Sequence, residues 1–144
     1  MNIERVAIVA QDFGIGFMYL FGSQAKKGHD FLRGKKIELD DPLADLDIGV
    51  TFKAGLPAQD KASLYAYIYN ALEEVFYEFR VDLVLLEENH SVFQANAISG
   101  ICIYSYDDHL RSEYEENILR RAADFKPFLD KYLEEYLEEV VPRD

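Results

Sequence analysis

Apolar and polar residues alternate along this chain with two different periods, and the changes of period divide it into helices and strands. Residues 2–12, NIERVAIVAQD, have helical spacing and predict a short amphipathic helix. Gly14 and Gly16 would stop it before an apolar strand at 17–21. The pair Gly22-Ser23 comes next, and serine is a favoured N-cap, so a second helix is expected to begin there. The stretch 28–42, GHDFLRGKKIELDDP, has no period and reads as a long loop or hairpin. A strand is predicted at 45–52 (DLDIGVTF), then a loop around Gly55 and Pro57. Helical spacing returns over 58–76 through Leu64, Ile68, Leu72 and Val75. A strand at 79–87 (FRVDLVLLE), a short helix at 91–98 and a strand at 100–106 (GICIYSY) follow. From about 107 to 140 the chain is strongly helical, with Tyr114, Ile118, Phe125, Phe128, Tyr132 and Tyr136 near one stripe. Pro127 is expected to kink or split that helix.

Strands interleaved with helices make this an α+β (α/β) chain with a small mixed β-sheet flanked by helices. Its 144 residues suit one domain, with a core over about 1–106 and a C-terminal helical segment over about 107–144. No repeat or low-complexity tract interrupts it.

Composition narrows the function classes. A content of 49% hydrophobic and 14% aromatic residues is that of a folded chain. The net charge of −12 opposes direct binding to nucleic acid and to an anionic membrane surface. A single cysteine, Cys102, offers no internal disulfide and reads as an inert core residue. No apolar run reaches the ~20 residues of a membrane span, and the start lacks a signal-peptide layout. The expectation is a cytoplasmic protein without membrane contact. His29, His90 and His109 have no zinc-ligand spacing, and Asp12-Phe13-Gly14 lacks the rest of the kinase motif set.

The chemistry concentrates in acids placed inside strands. Asp45 and Asp47 share one face of their strand, with Cα atoms about 6.6 Å apart, while Leu46 and Ile48 take the other. Asp82 stands between Val81 and Leu83 in a strand otherwise suited to burial. Adjacent carboxylates repel and are costly to desolvate, and a divalent cation relieves both problems. Magnesium suits one or two carboxylates completed by water and phosphate. Three acids on one face could hold two ions ~3.5–4 Å apart and clamp an in-line phosphoryl displacement. Gly22 would let backbone approach phosphate, Ser23 would add a donor beside a helix N-terminus, and Lys26 and Lys27 would add positive charge. Thirteen aspartates in 144 residues make about one D-x-D expected by chance, so the order of features carries the reading, not the motif.

That order, Gly22-Ser23, then Asp45-x-Asp47, then Asp82 in a later strand, resembles the nucleotidyltransferase superfamily typified by the DNA polymerase β catalytic domain. More narrowly it is similar to the minimal nucleotidyltransferases. The run 96–136, with a strand ending in tyrosine, an acidic turn and a helix containing Asp124-Phe125, resembles the tail of small antitoxins paired with HEPN-domain toxins. Two departures stand out. Twenty-one residues separate Ser23 from Asp45, about twice the usual spacer, and Lys27-Gly28 stands where Arg-Gly is usual.

The resemblance implies a polymerase-β-like fold and a magnesium-dependent transfer of AMP from ATP to a tyrosine of a HEPN-type RNase toxin. It implies that Asp45 and Asp47 hold the nucleotide-bound metal, and Asp47 and Asp82 a second one. Asp82 would also help to deprotonate the acceptor, and Gly22 and Ser23 would grip the β/γ phosphates. Two alternatives stay open: an antitoxin that acts by occlusion, and nucleotidyl transfer to a small hydroxylated molecule. A homo-oligomer also stays open. Residues 107–144 carry twelve acids against six bases, which suits contact with a basic partner, although a solvated helix packing its stripe on the sheet is the simpler expectation. The basic run 33–36, RGKK, reads as an exposed loop, with contact to a triphosphate or a nucleic acid as the alternative.

Overall fold

The computed structural model describes residues 2–140, and side chains through residue 139. Helix α1 spans Asn2–Phe13 and ends where Gly14 takes a positive φ of 69°, which a residue with a Cβ rarely adopts. Strand β1 (Ile15–Phe21) follows directly, so Gly16 lies within the strand and does not stop the helix. Helix α2 spans Ala25–Leu32, strand β2 Asp45–Phe52, helix α3 Lys61–Val75 and strand β3 Arg80–Leu85. A 3-10 turn over Leu86–Glu88 leads to helix α4 (Ser91–Ile98), strand β4 (Ile101–Ser105) and helix α5 (Asp108–Val140).

The sheet has the order β3-β2-β1-β4, with β1 antiparallel to both β2 and β4, and β2 parallel to β3. One face is packed by α1, α2 and α3. Val6, Ala10, Leu32, Ile68 and Leu72 close there on Met18, Leu20, Ile48, Val50 and Leu83. The other face of β1 presents Phe17, Tyr19 and Phe21 to Leu86, Ala97, Ile98 and Ile118. Strand β1 is therefore buried throughout, which explains its unbroken apolar run. The Tyr114 hydroxyl donates to Gln94 Oε1 at 2.9 Å, and the Tyr114 ring stacks on Phe17 at 5.5 Å. These contacts seat the first third of α5 on α4 and β1.

Several expectations change. Residues 28–32 are helical, because Gly28 packs against the sheet and Phe31 and Leu32 are buried, so the irregular stretch shortens to the residues after 32. Helix α3 begins at Lys61, after Asp60 in a left-handed conformation, rather than at 58. Helix α5 runs through Pro127 as one element, so the proline does not split it. Its stripe divides in two. Tyr114 and Ile118 pack, while Phe128, Tyr132 and Tyr136 stand in solvent. Cys102 is half-buried rather than sealed in the core. No helix among the described residues is long and apolar enough to cross a membrane.

Gly28 gives a packing prediction. A Cβ there would meet Leu46 Cδ1 at 2.7 Å and Leu20 Cδ1 at 3.2 Å. Both partners are fully buried, and overpacked cores lose about 1–3 kcal/mol. Gly28→Val is expected to lower the free energy of unfolding by that amount in chemical denaturation, despite its better helix propensity.

Candidate active site

The parallel β2–β3 register sets Asp47 directly beside Asp82, and Asp45 beside Arg80. Neighbours in register share a sheet face. All four side chains therefore project from the face opposite Leu46, Ile48, Val81 and Leu83, which are buried. In the middle of the acid-bearing face Leu86 packs over Gly49, where a Cβ would meet Leu86 Cδ2 at 2.8 Å. Asp45 and Asp82 are exposed and Asp47 is half-buried, so the acids form the open margin of a packed surface.

The antiparallel β1–β2 register brings the glycine turn to the same place. Phe21 pairs with Asp47, and the next residue, Gly22, turns away with a φ of 76°. A Cβ built on Gly22 would collide with Asp47 Oδ2, so the absence of a side chain there lets the carboxylate lie against the turn. Helix α2 starts three residues on. Its N-cap is Gln24 and not Ser23, and no side chain caps it. The Ser23 hydroxyl instead accepts from Gln24 Nε2 at 3.3 Å. An uncapped first turn presents backbone N–H groups and the positive end of a helix dipole, a combination suited to phosphate.

The flanking cations divide. Lys26 is exposed, and Lys27 Nζ bonds Asp40 Oδ2 at 3.0 Å, which ties α2 to the irregular stretch before β2. Lys35 and Lys36 line a separate recess of about 340 Å³ with Phe31, Tyr77 and Glu78. Arg80 escaped the sequence reading. Its Nε lies 3.4 Å from Asp45 Oδ1, and the signal for it was Arg-x-Asp spacing, which puts Arg80 and Asp82 on one face of β3.

Among the described residues no three His, Cys, Asp or Glu side chains gather as a metal-holding cluster, and Asp45 is engaged by Arg80. The Asp47–Asp82 pair nevertheless has the chemistry of a cation site. Burial, a hydrogen bond with Asp82 and the charges of Asp82 and Asp45 push the Asp47 carboxyl up from 3.8 to about 6. A divalent cation would take the place of the proton that this pair otherwise retains. In metal-free protein the sign follows from proton uptake. The folded chain holds a proton at Asp47 that the unfolded chain releases near 3.8, so stability from this group is present at low pH and lost as pH rises through about 6. Asp82→Asn is expected to weaken that dependence and to move the Asp47 midpoint down from about 6, though not fully, because burial remains. An NMR titration of the Asp47 carboxyl in chelator measures it, and an unmoved midpoint would contradict the coupling.

Comparison with known proteins identifies the family. The family described as polymerase beta, nucleotidyltransferase, matches residues 4–109. No curated protein sequence matches the chain. Among solved structures, the MntA–HpeT toxin–antitoxin, in a mutant with two Asp-to-Glu changes, aligns with a TM-score of 0.65 and 15% identity, covering 97% of this chain and 98% of that one. A toxin–antitoxin with AMP-PNP aligns at 0.59 and 17% identity, over 97% and 98% of the two chains. A complex of the tri-AMPylated Shewanella oneidensis HEPN toxin with MNT antitoxin aligns at 0.55 and 16%, over 92% and 96%. At these identities the structures establish a shared fold, and with the family match over residues 4–109 the conclusion is that the chain belongs to the polymerase beta nucleotidyltransferase family.

Proposed function

We propose that this protein is an antitoxin that transfers AMP from ATP to a tyrosine hydroxyl of a HEPN-type RNase toxin, with magnesium as the metal, and so neutralises it. The observation that carries the reading is the contact of the Asp47 carboxylate with the Gly22 turn, beside Asp82 in register. It joins the place for a triphosphate to the place for its cation. The named relatives support it further: one carries AMP-PNP, and another is an antitoxin bound to an AMPylated HEPN toxin.

Asp45 and Asp47 would hold a nucleotide-bound magnesium ion, and Asp47 and Asp82 a second one. Bound there, the metal supplies charge neutralisation of the phosphates and of the leaving group. The rest falls to the chain's own groups. Gly22 lets backbone come close to the β and γ phosphates, while Ser23 and the first turn of α2 donate to them. Lys26 adds positive charge, and Lys27 can do so on leaving Asp40. Arg80 Nε approaches Asp45 through Oδ1 at 3.4 Å, which leaves Oδ2 to serve as a ligand. The acceptor oxygen attacks the α phosphorus, the bond to the β-phosphate oxygen breaks, and pyrophosphate leaves. Asp82, the more exposed of the central pair, takes the acceptor's proton. Position and charge stabilisation provide most of the acceleration.

The test combines this protein, magnesium and labelled ATP with the product of the neighbouring reading frame, which on this reading is a short helical protein of HEPN type. Label is expected on a tyrosine of that protein. Binding without labelling would leave an occlusion antitoxin, and neither would remove the toxin reading. Asp45→Asn and Asp82→Asn are each expected to cut transfer by about 10²–10³-fold or more while circular dichroism stays unchanged. Full activity in either would take that acid out of the mechanism. Ser23→Ala should show a smaller loss, mainly as a raised KM for ATP. Gly22→Ala should cost nucleotide transfer by displacing the Asp47 carboxylate.

A further inference from the structure

Helix α5 outgrows the body of the protein. Its 33 residues span ~50 Å at a rise of 1.5 Å per residue. Ile118, Ala122, Phe125, Leu129, Tyr132 and Tyr136 succeed one another at alternating intervals of four and three. That spacing forms a seam for a packed second helix. Helix α4 fills only its beginning. Ile118 is buried, and the His90 ring, at the N-cap of α4, rests 5.6 Å from the ring of Phe125. Beyond that contact α4 has ended and the seam runs on uncovered. Phe128 is 72% exposed and Tyr132 65%, and Leu133, Tyr136 and Leu137 are exposed beside them.

A cavity of about 440 Å³ opens where α4 stops, lined by His90, Ser91, Arg121, Asp124, Phe125 and Phe128. It is large enough to receive one bulky apolar side chain from a helix continuing along the seam. The exposed distal stretch is acidic. Over residues 126–139, Asp130, Glu134, Glu135, Glu138 and Glu139 stand against Lys126 and Lys131, and Lys126 is already bonded to Asp130 at 3.1 Å. Glu135 and Glu139, seven residues on from Phe128 and Tyr132, edge that side of the seam.

We propose that the distal face of α5, from Phe125 to Leu137, docks an amphipathic α-helix of the toxin, one whose apolar stripe is edged by lysine and arginine. The seam's spacing calls for a helix, its continuity with the α4 contact sets where that helix begins, and the acid border selects a basic partner. A second copy of this chain suits the face poorly, because each molecule carries a net charge of −12. The identity of the partner rests on the proposed function, whereas the choice of surface rests on α5 alone.

The experiment uses the full chain with the neighbouring-frame HEPN protein and reads the Kd by calorimetry, with sedimentation for self-association. The triple variant Phe128→Ser/Tyr132→Ser/Leu133→Ser touches exposed side chains only, and its melting temperature should match the parent's. It is expected to bind the toxin at least 100-fold more weakly. Glu135→Lys/Glu139→Lys should slow association several-fold at low salt and leave a smaller difference at high salt. Transfer of AMP to a small tyrosine-containing peptide, which does not need the docking helix, should be unaffected in both variants. Wild-type binding with an unchanged Kd in the triple variant would overturn the docking surface and leave the nucleotidyltransferase reading standing. A parent that neither binds nor modifies the toxin would overturn both. A parent that is a dimer, which the triple variant converts to monomer with toxin affinity intact, would assign the face to a second copy and overturn the proposal.

Discussion

Two carboxylates side by side are the constraint around which this molecule is arranged. The parallel pairing of β2 and β3 makes Asp47 and Asp82 direct neighbours, and the antiparallel pairing of β1 and β2 presses the Gly22 turn onto the first of them. A one-residue slip of either ladder would drive an acid into the face packed by α1 and α3, where it would have no partner. Leu46, Ile48, Val81 and Leu83 fix the register by burying the opposite side. The apolar core thus holds like charges at a distance they would not choose. The raised Asp47 carboxyl shows the cost, which a cation or a proton relieves.

The same sheet is covered unevenly, and that unevenness makes the site. Three helices close one face completely. On the other, α4 and the start of α5 lie over β1, while Leu86 covers the middle of β2. The margin near Asp45, Asp47 and Asp82 stays open to solvent and to a ligand. Helix α5 continues this asymmetry outward, since α4 is only eight residues long and leaves most of a 33-residue partner without a neighbour. The open acidic margin and the exposed helix face both lie outside what α4 covers.

Much of this was legible beforehand because it depends on local pattern. Alternation in DLDIGVTF placed β2 at its observed bounds, and helical spacing through Leu64, Ile68, Leu72 and Val75 placed the body of α3. Other features depend on contacts between distant segments. Residues 28–32 have no clean period, yet they are helical because Gly28 fits under Leu20 and Leu46. Ser23 looked like a helix cap by type, but the chain turns at Gly22 and delays the helix to Ala25. Arg80 became relevant only once β3 lay beside β2 and set it against Asp45. The α5 stripe was visible as a period, and whether it would be covered was not.

By itself, then, the sequence determined the order of strands and helices, the acids that share a strand face, and the glycine turn that follows β1. These follow from side-chain alternation and from the conformational freedom of glycine, both local properties of the chain. Tertiary structure decided which acids become neighbours, which cation Asp45 meets, where α2 begins and how much of α5 is left bare. Pairing register and burial are set by residues far apart in the chain, and no local period encodes the distance between them.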